Sequence, residues 1–252
     1  MLKTIIVDGD KGGVGKTTVA RAIADAYVNA AANGLPVCKV VCLDADHTNP
    51  DFCGAGGYEP DTKIHDTGLV NLDEPKNWLE LVNALESIIS AAEEEEVRII
   101  ISMPATAKRA FESGAGEVAQ VLSMLNAVPV WVMGRTKDSV TQLQSRVDTM
   151  PRQFEHGLVV TNLFFGTRDK FVLWDGSDTK KELIGSDDWL ETSLPELSDL
   201  VGTKIDRTPY HKAIESGTGA GGQKLGMGDI IGLRAFSSRA GAAVAIVEKI
   251  GG

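Results

Sequence analysis

Residues 4–18 read Thr4-Ile5-Ile6-Val7-Asp8-Gly9-Asp10-Lys11-Gly12-Gly13-Val14-Gly15-Lys16-Thr17-Thr18. An apolar, β-branched run stops in a turn rich in lysine and glycine, and a helical pattern follows at once over residues 17–28. A strand, a glycine-rich loop and a helix in this order form a loop that cradles phosphate groups. The sequence therefore predicts a nucleotide site at this turn.

The residue types in this loop suit the binding of a triphosphate. Glycines allow successive backbone N–H groups to turn inward, Lys16 reaches the β- and γ-phosphate oxygens, and the Thr17 hydroxyl is placed to ligate Mg²⁺. We therefore expect ATP and Mg²⁺ as cofactors. The predicted nucleotide-binding residues of the loop are Gly12, Gly13, Val14, Gly15, Lys16, Thr17 and Thr18.

The loop departs from the strict pattern G-x-x-x-x-G-K-[ST] at its first position, where this chain has Asp10, and it carries a second lysine at Lys11. This variant resembles the deviant Walker A motif of the ParA/MinD family of dimerising ATPases. The resemblance implies that Lys11 crosses a dimer interface to the phosphates of the partner. It also implies a catalytic role for Lys11 and Lys16, homodimerisation on ATP binding, and slow hydrolysis.

Composition bounds the architecture and the partners. A chain of 252 residues with 43% hydrophobic residues can bury a full core, and we predict one domain over residues 1–252. The net charge of −10 argues against a surface uniformly suited to nucleic acid. Residues 1–126 hold 10 Lys and Arg against 19 Asp and Glu, whereas residues 127–252 hold 15 against 16. Any DNA-binding surface is therefore expected in the second half.

Cysteine usage and hydropathy predict the compartment. Cys38, Cys42 and Cys53 are odd in number and lack C-x-x-C spacing, so they indicate neither a disulfide framework nor a zinc site. The N-terminus runs directly into a predicted strand, which is not typical of a signal peptide. We expect no apolar run to approach the ~20 residues of a membrane span. We predict a cytoplasmic protein without membrane binding.

A second polar segment follows the predicted buried strand at residues 37–43 and reads Asp44-Ala45-Asp46-His47-Thr48-Asn49-Pro50. Ligands of open α/β sheets lie off the carboxyl ends of the strands, so these carboxylates can face the phosphates. The segment resembles the D-x-D-P-Q-x-N switch of the same family, with His47-Thr48 in place of Pro-Gln. The similarity implies that Asp44 supports the metal and that catalytic Asp46 orients the attacking water. The alternative is that both carboxylates only cap the strand and start a turn.

A third segment follows the predicted strand at residues 97–101 and reads Ser102-Met103-Pro104-Ala105-Thr106. Its position matches the second switch of the family, usually D-x-P-P or D-x-P-A, so Ser102 replaces the aspartate that holds a metal-bound water. A serine hydroxyl can accept a hydrogen bond from that water but brings no charge. The predicted metal-binding set is Thr17, Asp44 and Ser102, and the missing carboxylate indicates slow turnover.

The remaining chain alternates helical and strand patterns, which predicts a doubly wound, mostly parallel α/β sheet flanked by helices. The apolar run at residues 157–161 ends in Asn162, the position from which the family's asparagine reads the adenine ring. Leu194 and Pro195 lie where its adenine-flanking loop would fall. Asparagine at a strand end is also a common turn former.

Two further segments have an unusual composition. Residues 163–189 interleave aromatic with basic side chains, which suits either stacking on single-stranded nucleic acid or an insertion that packs its aromatics onto the domain. Six acidic residues cancel the positive charge, so packing is favoured. Residues 217–228 contain six glycines and predict a loop. A final helix over residues 229–250 is mostly small and apolar, which favours core packing over a membrane anchor.

Three functions are compatible with these features. The first is an ATP-driven dimerisation switch that positions or segregates plasmid DNA or another large cargo, including in conjugative transfer, with a partner protein that stimulates hydrolysis or links to the cargo. The second is a nucleotide-gated scaffold with little hydrolysis, which Ser102 favours. The third is a small-molecule enzyme resembling dethiobiotin synthetase, against which Lys11 argues.

Overall fold

The structure is a computed structural model, and it describes residues 1–46, 49–104, 107, 111, 115–186 and 188–251. Its centre is a seven-stranded sheet with the strand order β3-β2-β4-β1-β5-β6-β7, in which all pairs of neighbours are parallel. The strands are β1 (Leu2–Gly9), β2 (Lys39–Asp44), β3 (Asp66–Leu69), β4 (Val97–Ser102), β5 (Ala127–Met133), β6 (Gly157–Asn162) and β7 (Trp189–Leu194). The predicted doubly wound fold is confirmed.

Helices cover both faces of this sheet. The phosphate-loop helix is Lys16–Val28, and the last helix, Met227–Val244, packs beside it. The other α-helices are Ala30–Asn33, Pro75–Ala84, Glu86–Ala91, Ala115–Met124, Lys137–Thr149, Val172–Asp175, Asp178–Gly185, Asp199–Ile205 and Tyr210–Ser216. Short 3₁₀ helices lie at Leu163–Phe165, Arg168–Lys170, Ala220–Gly222 and Ala245–Lys249.

Each face of the sheet has its own hydrophobic core. Strand residues Ile5 and Val7 point to the face covered by the phosphate-loop helix and the last helix. Ile6, the residue between them, points to the opposite face, where Trp78, Phe111 and Trp189 are buried. Alternating side chains of β1 therefore serve two cores, as expected of a central strand covered on both sides.

Three secondary-structure expectations are corrected. The glycine and proline residues of segment 51–76 predict a loop, but the segment contains β3, a short edge strand with a mostly polar sequence. The apolar period of residues 77–92 predicts one helix, but the structure has two helices that meet at Leu85. The helix Asp199–Ile205 was not foreseen.

The last helix also corrects the expectation on apolar runs. Residues Met227–Lys249 are long and apolar enough, by length and composition, to cross a membrane. In the fold, however, Leu233, Phe236 and Val244 of this helix are buried in the core that covers the phosphate-loop helix. The glycine-rich segment before it is partly ordered by a 3₁₀ turn and an isolated bridge between Thr218 and Lys224.

Candidate nucleotide-binding site

The phosphate loop joins β1, the central strand, to the phosphate-loop helix. Gly13 (φ 76°) and Gly15 (φ 100°) adopt the left-handed backbone conformation that glycine favours. The helix begins at Lys16, has no side-chain cap, and carries no acidic residue in its first turn. Its first N–H groups and the positive end of its dipole therefore favour an anion at the loop.

Lys16 is buried at the centre of this loop and is 8% exposed. Its Nζ donates to the backbone carbonyl of Lys11 at 2.9 Å, so the ammonium lies across the loop. Burial lowers the pKa of Lys16, while the nearby carboxylates of Asp8, Asp10 and Asp46 act in the opposite direction. The group is a cation that water solvates poorly, which strengthens its attraction for phosphate oxygens.

Asp10, the residue that breaks the strict motif, ties the loop to the neighbouring strand connection. Its carboxylate accepts hydrogen bonds from Thr136 Oγ1 and Ser139 Oγ, each at 3.2 Å. The Ser139 hydroxyl in turn accepts the Gly134 N–H at 2.9 Å. The first position of the loop is therefore fixed by a side chain that glycine could not supply.

A cavity of about 270 Å³ lies over the loop. Of the predicted site residues, it brings together loop glycines, Lys16 and Thr17 with Asp46 from the end of β2 and Ser102 from the end of β4. The full lining is Gly12, Gly13, Gly15, Lys16, Thr17, Asp46, Asn49, Asp51, Ser102 and Met103. The carboxyl ends of three adjacent parallel strands therefore meet at one site, as their register requires.

Asp44 does not line this cavity. It is almost fully buried, and its two carboxylate oxygens accept backbone N–H groups from Asp46 at 3.0 Å, Phe52 at 2.7 Å and Cys53 at 3.4 Å. Burial raises the pKa of Asp44 despite these hydrogen bonds. In this structure its carboxylate organises the loop that carries Asp46.

Asn162, Leu194 and Pro195, the residues expected around adenine, also lie outside the cavity. Asn162 Nδ2 donates to the Val14 carbonyl at 3.0 Å, and its Oδ1 accepts the Phe164 N–H at 3.1 Å. The amide thus braces the back of the phosphate loop. Leu194 is paired with Asn162 in the β6–β7 register and is buried, and Pro195 follows it.

Lys11 immediately precedes the cavity-lining residues Gly12 and Gly13, and its side chain is exposed. Its ammonium makes no hydrogen bond or ion pair with any residue in the described part of the chain, whereas its carbonyl holds Lys16. Val14 is a core residue, 1% exposed, and Thr18 is half-buried in the first turn of the helix. His47, Thr48, Ala105 and Thr106 lie outside the described residues.

The packing interpretation of residues 163–189 is confirmed. Phe171, Trp174 and Trp189 are each 1% exposed, whereas Phe164 remains exposed. The positive charges are paired: Arg168 contacts Asp175 at 2.7 Å and Glu191 at 2.5 Å, and Lys180 contacts the same two carboxylates.

The sequence predicted neither the position of Asp51 in the cavity nor the hydrogen bonds that Asp10 accepts from Thr136 and Ser139. Asp51 directly follows the polar segment at residues 44–50, and a third carboxylate so close to Asp44 and Asp46 was the available signal. No group of three or more His, Cys, Asp or Glu side chains suited to a metal occurs among the residues that the structure describes. Mg²⁺ in nucleotide sites needs only one or two protein oxygens besides phosphate and water, and the cavity offers these in Thr17, Ser102 and the carboxylates.

The fold and the loop together define a nucleotide-binding protein fold of the P-loop type. No protein-family model matches the chain. Protein MobD from Acidithiobacillus ferrooxidans is 30% identical over 210 residues, which span 81% of this chain and 83% of MobD. The chain therefore belongs to the MobD family.

A solved structure of similar fold is the nucleotide-binding protein of Archaeoglobus fulgidus in complex with ADP, with cobalt present. It is 18% identical to this chain, with a TM-score of 0.45, and the match covers 82% of this chain and 88% of that one.

Proposed function

We propose that this protein is an ATP-dependent dimerisation switch with slow ATP hydrolysis, of the ParA/MinD type, which positions or segregates plasmid DNA or another large cargo. Conjugative transfer is one setting for that role. The protein acts in the cytoplasm, without a membrane, and a partner protein stimulates hydrolysis or links the switch to its cargo. DNA, where it is bound directly, contacts the second half of the chain.

The exposed side chain of Lys11 carries this proposal. Lys16 already supplies an ammonium within the loop, and the exposed Lys11 ammonium, next to the lining residue Gly12, has no partner among the described residues. A long cation in that position can reach a phosphate group held by another molecule, and Coulomb attraction between the ammonium and the phosphate favours the contact. A dimer with facing cavities would give each Lys11 such a target.

Substitution of Lys11 tests the proposal. Lys11→Ala should bind ATP as a monomer but lose ATP-dependent dimerisation and phosphate release, because the loop that holds its own nucleotide stays intact. Lys224→Ala, which removes an exposed lysine that makes no ion pair within the described chain, is the matched control. Dimerisation of Lys11→Ala at the wild-type level would favour a small-molecule enzyme.

A scaffold that binds ATP and scarcely hydrolyses it is the second candidate, and the uncharged Ser102 favours it. Asp46 separates the two, since it lines the cavity beside Lys16. If Asp46 orients water, Asp46→Ala lowers kcat by about 10²-fold while ATP affinity stays, as expected for an interaction made in the transition state. A wild type without phosphate release above background, with DNA present, would favour the scaffold.

A further inference from the structure

Ser102 gives the cavity an uncharged hydroxyl at a position where the ParA/MinD family usually has a carboxylate. It is 2% exposed and lies at the cavity wall, and its hydroxyl makes no hydrogen bond to any residue the structure describes. Because Ser102 lines the cavity, its hydroxyl is available to hydrogen-bond a ligand or a water bound to one. The hydroxyl carries no charge, however, and cannot offset a divalent cation by itself.

Asp51 brings a carboxylate to the same cavity from the loop after β2. Its Oδ2 accepts the Asn49 side-chain N–H at 3.0 Å, and its Oδ1 lies 3.0 Å from Arg207 Nη2. Asn49 and Asp51 both line the cavity, whereas Arg207 stands behind the carboxylate. Each carboxylate oxygen keeps a further lone-pair site, so the pairing orients Asp51 without saturating it.

Arg207, the ion-pair partner of Asp51, lies in a segment that is held by the phosphate-loop helix. The guanidinium of Arg21, on that helix, donates to the carbonyls of Asp206 and Thr208, each at 2.6 Å. These two residues flank Arg207. The helix that starts at the phosphate loop therefore also fixes the arginine that orients Asp51, an arrangement typical of the residues that support a metal ligand.

The charges in the cavity limit which groups can lie close to the Asp51 carboxylate. A nucleoside di- or triphosphate adds several negative charges to a cavity that already holds the carboxylates of Asp46 and Asp51 and one buried ammonium. Arg207 pairs with Asp51 where both side chains are more than a third exposed, so the pair offsets only part of the negative charge. A cation between these carboxylates and the phosphates would offset the rest.

We propose that Asp51 supplies the carboxylate for the Mg²⁺ that accompanies the nucleotide, in place of the acidic side chain that Ser102 lacks. Thr17 and Ser102 contribute hydroxyl oxygens on the same wall. This inference rests on the proposed nucleotide-binding function and adds to it a metal-binding residue particular to this chain.

The test measures metal binding and nucleotide binding separately. Mn²⁺ affinity of the ADP-loaded protein is measured from the electron paramagnetic resonance signal of free Mn²⁺, and the Kd of a fluorescent ADP is measured with Mg²⁺ and with EDTA. Asp51→Asn should weaken Mn²⁺ binding by about 10- to 100-fold. It should also tighten ADP binding in EDTA, because it removes a repelling charge.

Two further variants complete the test. Arg207→Gln breaks the same ion pair but keeps the carboxylate, so its Mn²⁺ affinity should fall by less than that of Asp51→Asn. Asp51→Glu should recover part of the lost affinity. Unchanged Mn²⁺ affinity in Asp51→Asn, or an equal loss in Arg207→Gln, would overturn the inference while leaving the nucleotide site intact. A wild type that binds ADP in neither condition would overturn the proposed function as well.

Discussion

Lys16 is the residue on which nucleotide affinity depends most directly. Among the described residues, its ammonium donates a hydrogen bond only to the Lys11 carbonyl. Burial lowers the pKa of this ammonium. A phosphate group is a stronger acceptor than a carbonyl for such a cation, since both partners are then charged. The Lys16 ammonium is therefore positioned for a phosphate group before a nucleotide binds.

Replacing this ammonium with an apolar side chain of similar length tests that role. Lys16→Met should lower ATP affinity by about 10- to 100-fold, the usual worth of a charged hydrogen bond. Isothermal titration calorimetry measures the change, and circular dichroism checks the fold. Lys224→Met is the control and should bind ATP as the wild type does. Wild-type affinity in Lys16→Met would rule out a phosphate-binding loop.

At the scale of single residues, the sequence predicted the loop well and its surroundings less well. Glycine, lysine and threonine at fixed spacing define a phosphate cradle by local chemistry alone. The environments of Asp44 and Asn162 depend on contacts with Phe52 and Val14, which are set by tertiary packing. A resemblance can give such residues a role, but it does not show which hydrogen bonds they make.

Among the elements, the phosphate loop and β6 are in close contact at Gly15. A Cβ built on Gly15 would lie 2.2 Å from Asn162 Nδ2, and Gly15 has φ 100°. A Cβ on Gly12 would meet nothing within 4 Å in the described structure. Two glycines of one loop therefore have different reasons to be glycine.

Alanine substitutions should separate these reasons. Gly15→Ala should lower the free energy of unfolding by about 1–3 kcal/mol from backbone strain, and further from the clash. Gly12→Ala should leave it within about 0.5 kcal/mol. Urea unfolding gives both values. In a double-mutant cycle, Asn162→Ala should recover part of the Gly15→Ala loss, and strict additivity would contradict the contact.

Two features that the sequence pattern did not predict, the edge strand β3 and the helix break at Leu85, have physical causes. The apolar period of Trp78, Leu81, Leu85 and Ile88 continues across the break at Leu85, so the pattern cannot show where one helix ends. The edge strand β3 has polar residues and one neighbour, β2, so it lacks the apolar run by which buried strands are recognised. The central strands were predicted because both of their faces are buried, which gives an apolar run. The long amphipathic helices were predicted because one face is buried, which gives a helical period.

For the whole molecule, the segment after the last helix is held to the sheet by charge. Glu248 accepts Arg98 Nη2 at 2.7 Å and Tyr27 OH at 2.6 Å, and the ammonium of Lys3 donates to the carbonyls of Glu248 and Ile250. Burial opposes ionisation of Glu248, but the hydrogen bonds and the charge of Arg98 outweigh it and lower its pKa.

Removal of the Glu248 charge should cost stability in a pH-dependent way. Glu248→Gln leaves the fully buried Arg98 with only one of its two carboxylate partners, Glu96, so the free energy of unfolding at neutral pH should fall by up to about 3 kcal/mol. Because the folded-state pKa is lowered, this contribution is present above the ordinary carboxyl pKa of 4.5 and is lost as pH falls through the folded-state pKa. Urea unfolding against pH should show the difference between wild type and variant shrinking in acid.

Lys249→Gln removes the charge of the next residue, whose side chain is exposed, and is the control for this substitution. It should change the free energy of unfolding by no more than about 0.5 kcal/mol at any of these pH values. A Glu248→Gln difference that stayed constant into acid would show that packing, not charge, holds the segment.

We infer that ATP converts a monomer into a dimer through Lys11, and light scattering after size exclusion measures the mass of each state. The protein, of 26.8 kDa, should elute as a monomer without nucleotide and with ADP, and at about twice that mass with ATP and Mg²⁺. Lys11→Ala should remain monomeric in all three conditions. A wild type that binds ATP but stays at 26.8 kDa, or a Lys11→Ala variant that dimerises with ATP, would contradict the account.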